Sequence, residues 1–104
     1  EMCIRDRPYF VMKVGHVPLI PYHRPGDPAA AALVAERIAR QPALRAVMLD
    51  RLGPNVWHAS PAEASAVLEE LEETAKLWLL CDPKPAPLND AQIDALRRQF
   101  GAAW

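Results

Sequence analysis

The residues of this sequence first in line for acid–base, nucleophilic or ligand chemistry are three histidines, one of them in a Tyr22-His23-Arg24 triplet, and Cys81, one of two cysteines. The histidines are His16, His23 and His58, and no two of them stand at a metal-ligand spacing. His23 lies beside Arg24 just ahead of a helix start. With the free N–H groups of that helix's first turn, His23 and Arg24 are placed to form a small anion-binding corner. Each of the three histidines, His23 included, reads first as solvent-exposed or structurally hydrogen-bonded. Cys81 follows a helix and has no activating base next to it, so it reads as a plain buried thiol. Trp57 and Trp78 read as core rather than as ligand platforms. The sequence contains no glycine-rich phosphate loop, CxxC, HExxH or GxSxG.

Composition narrows the partners. Twelve Lys and Arg against thirteen Asp and Glu leave a net charge of −1, which gives no footprint for nucleic acid or an acidic lipid surface. No apolar run approaches the ~20 residues of a membrane span. Two cysteines, Cys3 and Cys81, form neither a disulfide framework nor a zinc cluster, so a reducing, cytoplasmic setting is expected. A chain of 104 residues holds one small core.

These residues need elements to position them. Tyr9 to Val14 (YFVMKV) is aromatic and β-branched and predicts a strand that Gly15 breaks. Val17 to Tyr22 (VPLIPY) predicts a second extended piece at an edge, because Pro18 and Pro21 cannot donate to a ladder. Asp27 and Pro28 fit the N-cap and first position of a helix that ends at Gln41-Pro42, with Leu33, Val34 and Ile38 as its apolar stripe. Leu44 to Leu49 predicts a buried strand, and Asn55 to Trp57 a strand resumed after a tight turn. Ser60-Pro61-Ala62-Glu63 is a capping box for a helix running to about Leu80. Ala64, Val67, Leu68, Leu71, Ala75, Trp78 and Leu79 form its sheet-packing face. Glu69, Glu70, Glu72 and Glu73 read as its solvated face, with Glu72 spaced to pair with Lys76. Asn89 caps a last helix that Gly101 ends. The order β, β, α, β, β, α, α implies an α/β domain with helices packed on a sheet.

Glu1 to Arg7 (EMCIRDR) has no apolar period and no signal-peptide pattern. The string matches the translated end of a transposase-type sequencing adapter and is read as non-native. The alternative is a short polar tail. On the adapter reading residues 8–104 are the native segment, and Cys3 has no meaning.

Two stretches carry a resemblance. Pro8 to Pro28 (PYFVMKVGHVPLIPYHRPGDP) and Ala46 to Leu80, with its EELEETAKL run, resemble the C-terminal half of class II aldolase/adducin-type proteins. The nearest subgroup is the 3-oxo-tetronate 4-phosphate decarboxylase-like members. AQIDALRRQFGAAW is similar to the end of such proteins. The resemblance implies part of a three-layer αβα fold and a homo-oligomer, commonly a tetramer, with active sites between subunits. It implies a carbon–carbon lyase or decarboxylase acting on a phosphorylated sugar acid with a divalent metal, typically zinc. The alternative it leaves open is a metal-free, adducin-like oligomerising or scaffold subunit.

The family's His-x-His pair and catalytic acidic residue belong to the half that this segment lacks. Its third metal histidine sits in an Asn-His-Gly-Pro turn, which here reads Arg51-Leu52-Gly53-Pro54. Leu52 occupies the ligand position and has no lone pair to offer. No metal ligand or catalytic residue is therefore assigned. The open readings are a paralogue without metal catalysis, a changed site, or a sequencing error at Leu52. His58 is the downstream histidine that would have to replace the ligand. Tyr22, His23 and Arg24 fall on a loop expected to be structural, to face the active-site cleft or to meet another subunit. The 104-residue segment alone is expected to be inactive.

Overall fold

Pro8–Lys13 is a helix, α1, where the run Tyr9–Val14 predicts a strand. Burial decides against propensity here. Phe10, Val11 and Val14 are buried while Tyr9 and Lys13 are exposed, which is helical spacing and not alternation. Pro8 sits at the first helical turn, where a missing N–H costs nothing. Gly15, at φ +79°, stops the helix in the left-handed conformation and donates to the Phe10 carbonyl at 2.9 Å.

The computed structural model describes residues 4–104. After α1 come strand β1 (Leu19–Ile20), helix α2 (Pro28–Arg40), strands β2 (Ala46–Leu49) and β3 (Gly53–Val56), and helices α3 (Pro61–Leu80) and α4 (Asp90–Phe100). The expected extended piece Val17–Tyr22 shrinks to the two residues between Pro18 and Pro21 whose amides are free to pair. The last strand starts earlier than the expected Asn55–Trp57, because the turn at Asp50–Leu52 is tight enough to pair Gly53 with Leu49.

The sheet order is β1-β2-β3. β1 pairs parallel to β2, Leu19 with Met48 and Ile20 with Leu49. The α2 crossover between them makes a βαβ unit. β2 and β3 form an antiparallel hairpin from Ala46–Val56 to Leu49–Gly53. Ala46 and Met48 point to one face of the sheet, Val47 and Leu49 to the other. Ala46 packs with Phe10, Val14, Val17, Val67 and Leu71, and Ile4, Met48 and Val56 lie against that core. Val47, on the opposite face, is equally buried, so the sheet is covered on both sides. This is the layered α/β architecture expected from the sequence.

The helix caps follow the sequence closely. Asp27 accepts from the Ala29 amide at 2.9 Å. Asn89 and Gln92 close a complete reciprocal box, and Gly101 stops α4 at φ +67°. The box at α3 is half made. Ser60 Oγ accepts from the Glu63 amide, but the Glu63 carboxylate takes the Ser60 hydroxyl at 3.1 Å instead of reaching back to the backbone.

The apolar face of α3 is covered between Val67 and Ala75, with Leu68 at its edge, and is open over the last turn. Val67, Leu71 and Thr74 are buried, whereas Leu68, Trp78 and Leu79 are exposed. A 20-residue helix rises ~30 Å and a four-residue strand only ~13 Å, so α3 overshoots the sheet. Trp78 is therefore not a core residue. Its ring carries Lys84 Nζ at 4.4 Å, and Trp57 is half-buried. On α2, Leu33 and Val34 are half-buried, Ile38 is exposed, and Glu36 pairs with Arg40.

Glu69, Glu72 and Glu73 are solvated as expected. Glu70 instead lies 3.6 Å from Arg7 and accepts from Thr74 Oγ1 at 3.2 Å. Among the described residues, no ion pair joins Glu72 to Lys76. The first described residues are tied to the C-terminal part of the chain. Arg5 Nε donates to the Leu88 carbonyl at 2.7 Å, and the Leu88 amide donates to the Arg5 carbonyl at 2.9 Å. Arg7 Nη1 is buried without a hydrogen-bond partner. Cys3 lies outside the described residues.

Candidate functional site

The parallel pairing of β1 and β2 sets both strand ends at one level. The chain leaving β1 carries Pro21, His23 and Arg24, and the chain leaving β2 carries Asp50 and Leu52. These residues line one cleft of about 110 Å³, with Ile20 and Leu49 from the last strand pair and Gly26 and Ala30 at the start of α2. A cleft outside the carboxyl ends of parallel strands is where open α/β sheets bind ligands. The structure thus brings His23 and Arg24 together with the Leu52 turn, although 26 residues lie between His23 and Asp50.

The local chemistry is specific. His23 Nδ1 lies 2.7 Å from the Pro21 carbonyl. A carbonyl only accepts, so Nδ1 carries the proton and a neutral ring leaves Nε2 as an acceptor. Arg24 is exposed, and among the described residues its guanidinium makes only a long 3.5 Å contact to the Pro25 carbonyl. Asp50 is half-buried, and among the described residues its carboxylate accepts no hydrogen bond from a side chain. Its amide is used, donating to the Ile20 carbonyl at 3.0 Å. Arg51 holds φ +63°, a left-handed conformation unusual for a side chain of this size, and so turns the chain sharply between strand and cleft. Leu52 is 52% exposed at the rim. The expected free N–H groups of the anion corner are partly used, since Asp27 already caps the Ala29 amide.

The other candidates lie elsewhere. Tyr22 is exposed beside the cleft and is not among its lining residues. His58 sits beyond the far end of β3, roughly 20 Å of extended chain from Leu52. It lines a different cleft of about 300 Å³ with Met12, Lys13 and Glu63. Its Nδ1 accepts from the Ala59 amide at 2.8 Å and lies 3.3 Å from Glu63 Oε2. His16 stacks on Trp104, ring centroids 3.9 Å apart. Cys81 is a free, half-buried thiol at the end of α3 rather than a fully buried one. The residue that sequence reasoning passed over is Asp50, treated there only as part of a turn. Its signal is an acidic residue placed directly after a buried strand.

Residues 3–79 match the family model of the class II aldolase and adducin N-terminal domain. The chain belongs to the class II aldolase and adducin family. It is 55% identical to a 3-oxo-tetronate 4-phosphate decarboxylase of Cupriavidus necator over 93% of this chain and 46% of that protein. It is 46% identical to one of Escherichia coli strain K12, over 86% of this chain and 42% of that protein. The crystal structure of YgbL from Escherichia coli superposes with a TM-score of 0.77 at 44% identity, covering 90% of this chain and 45% of that one. The chain therefore spans about half the length of the relatives it matches, and it is a fragment relative to them.

Class II aldolases generally use a divalent metal. The residues described here do not fit one. Among them, no three His, Cys, Asp or Glu side chains gather into a group able to hold a metal ion. Leu52, at the rim of the cleft, offers no donor atom. No described helix is long and apolar enough to cross a membrane.

Proposed function

We propose that the whole protein containing this chain is a carbon–carbon lyase, specifically a decarboxylase, acting on a phosphorylated sugar acid of the 3-oxo-tetronate 4-phosphate type. The observation that carries this reading is the 55% identity to a decarboxylase of that name, spread over nearly all of the chain. The cleft at the ends of β1 and β2 supports it, since it gathers a cation, a carboxylate and an imidazole acceptor at the place where this architecture binds small ligands. Breaking a carbon–carbon bond beside a carbonyl places negative charge on oxygen, and the site must hold that charge. In this chain Arg24 is the residue of the cleft able to meet an anion, and His23 and Asp50 accept protons from hydroxyl groups. The protein works as a homo-oligomer, a tetramer with sites between subunits, in the cytoplasm. The 104-residue chain alone is inactive.

Leu52 favours a second reading, in which the fold is kept as a metal-free, adducin-like oligomerising or scaffold subunit. On this reading Leu52 occupies the position of the family's third metal histidine. Metal content and turnover of the whole protein separate the two. Turnover that a chelator abolishes supports the lyase. A folded protein with metal stoichiometry near zero and no turnover supports the scaffold.

Glu1–Arg7 is read as adapter-derived, which the match of EMCIRDR to a translated adapter end supports. The docking of Ile4 and Arg5, and a family match that begins at residue 3, favour a native tail instead. A long DNA read from the source sample across the Pro8 junction and codon 52 decides it. Family-like sequence with His-x-His ahead of Pro8 supports the adapter reading, and EMCIRDR encoded in the genome removes it.

A further inference from the structure

We propose that the protein carries a second anion site, at the opposite end of β2 from the Leu52 cleft, in which Lys13 and Arg45 hold a phosphoryl group. It does not depend on the decarboxylase reading.

Arg45 directly precedes β2 and Asp50 directly follows it, so the strand sets the two clefts roughly 16 Å of backbone apart. The cleft beside Arg45 has a volume of about 150 Å³. Its walls are the end of α1, the chain entering β2 at Ala43 and Arg45, and Gly101 and Ala103 after α4. Lys13 and Arg45 are its charged lining residues, and among the described residues no Asp or Glu lines it. A smaller lobe of about 40 Å³ continues past Gly15 and Ala103 to His16, again without a carboxylate. The Leu52 cleft differs, because there Asp50 stands with Arg24 and repels a bare anion.

Neither cation has an ionic partner among the described residues. Arg45 is half-buried, and of its five N–H donors Nη1 is used, on the Leu44 carbonyl at 3.2 Å. Withdrawing a guanidinium from water without a counter-ion is unfavourable. A bound oxyanion offsets that cost and accepts from the remaining donors. Lys13 is exposed on α1, with Nζ 5.4 Å from the centroid of the Tyr9 ring. It also borders the cleft of His58 and Glu63. Glu63 is engaged there, since its carboxylate takes the Ser60 hydroxyl at 3.1 Å and lies 3.3 Å from His58. A phosphoryl group brings three acceptor oxygens and nearly two negative charges, enough for both cations at once.

The walls are held in place before a ligand arrives. The Val14 and Gly15 amides both donate to the Phe10 carbonyl at 2.9 Å, and the Trp57 amide donates to the Arg45 carbonyl at 3.0 Å. On the other side Arg97 donates to the Trp104 carbonyl through Nε at 3.2 Å and Nη2 at 2.7 Å, and the Trp104 ring stacks on His16. With the Val14 and Gly15 amides already used, the anion is held by side chains, and side-chain variants test it directly.

The experiment is calorimetric titration of the whole protein carrying Arg24→Gln, with inorganic phosphate and glycerol 3-phosphate as probes. Arg24→Gln removes the cation of the Leu52 cleft, so the heat that remains reports binding elsewhere. Binding is expected to survive this substitution and to weaken by about tenfold or more when Lys13→Gln or Arg45→Gln is added. Phosphate is also expected to raise the melting temperature of the Arg24→Gln protein, and Lys13→Gln to remove that rise. Lys13 is exposed, so Lys13→Gln keeps the fold and carries the test if Arg45→Gln loses it, and Lys13→Arg is expected to restore binding. Similar affinity for both probes supports a site for the phosphoryl group itself. Tighter binding of glycerol 3-phosphate supports a site for the phosphoryl end of a larger ester. The proposal is overturned if neither probe binds the Arg24→Gln protein, or if both bind as tightly once Lys13→Gln is added.

Discussion

Ile20 and Leu49 are register partners in the parallel pair, and the Asp50 amide closes the pair on the Ile20 carbonyl at 3.0 Å. That one contact fixes the geometry of the cleft. It ends both strands at the same level and turns the His23–Arg24 loop and the Asp50–Leu52 turn toward a common cleft.

Ile20 is 2% exposed and also lines the cleft, so Ile20→Ala should damage stability and binding together. The expected loss is about 2–5 kcal/mol in urea unfolding of the whole protein, with Ile20→Val costing about 0.5–1.5 kcal/mol. Full stability in the alanine variant would mean that β1 is not held against β2 as described.

Phe10 is fully buried at the centre of the core that joins α1, α3 and the sheet. Phe10→Ala should cost about 3–5 kcal/mol, whereas Tyr9→Ala, on the exposed side of α1, should stay within about 1 kcal/mol. Comparable costs at the two positions would contradict the helical spacing.

Leu52 is exposed on a turn, so replacing it leaves the core untouched. Leu52→His in the whole protein should raise zinc retained after dialysis, measured by elemental analysis, with little change in melting temperature. Unchanged zinc content would show that this position is not a ligand position in this protein.

The isolated 104-residue chain leaves Leu79 and Leu80 each 71% exposed and α2 without a buried residue. Its chemical denaturation should therefore lack a cooperative transition with the m-value normal for its length. A sharp, full-sized transition would show that this segment is a complete folding unit.

Much of the fold was legible because its signals are local. Asp27, Ser60 and Asn89 each cap the helix that their sequence context predicts, and Gly101 stops α4. The strand expected at Tyr9–Val14 failed because propensity is blind to which face will be covered. Phe10 and Val14 meet α3, a partner some sixty residues away. The last turn of the α3 stripe, Trp78 and Leu79, failed for a related reason: periodicity shows a face but not how far the sheet extends beneath it. At the site, His23 and Arg24 were legible as a pair next to a helix start. Asp50 was not, because only the parallel register of β1 on β2 brings it to them.

The most direct measurement is release of carbon dioxide from 3-oxo-tetronate 4-phosphate by the whole purified protein, run beside the Cupriavidus necator relative. Turnover well above the uncatalysed rate, reduced in Arg24→Gln, is the predicted result. A folded protein that releases none while the relative turns over would contradict the decarboxylase assignment and leave the scaffold reading in its place.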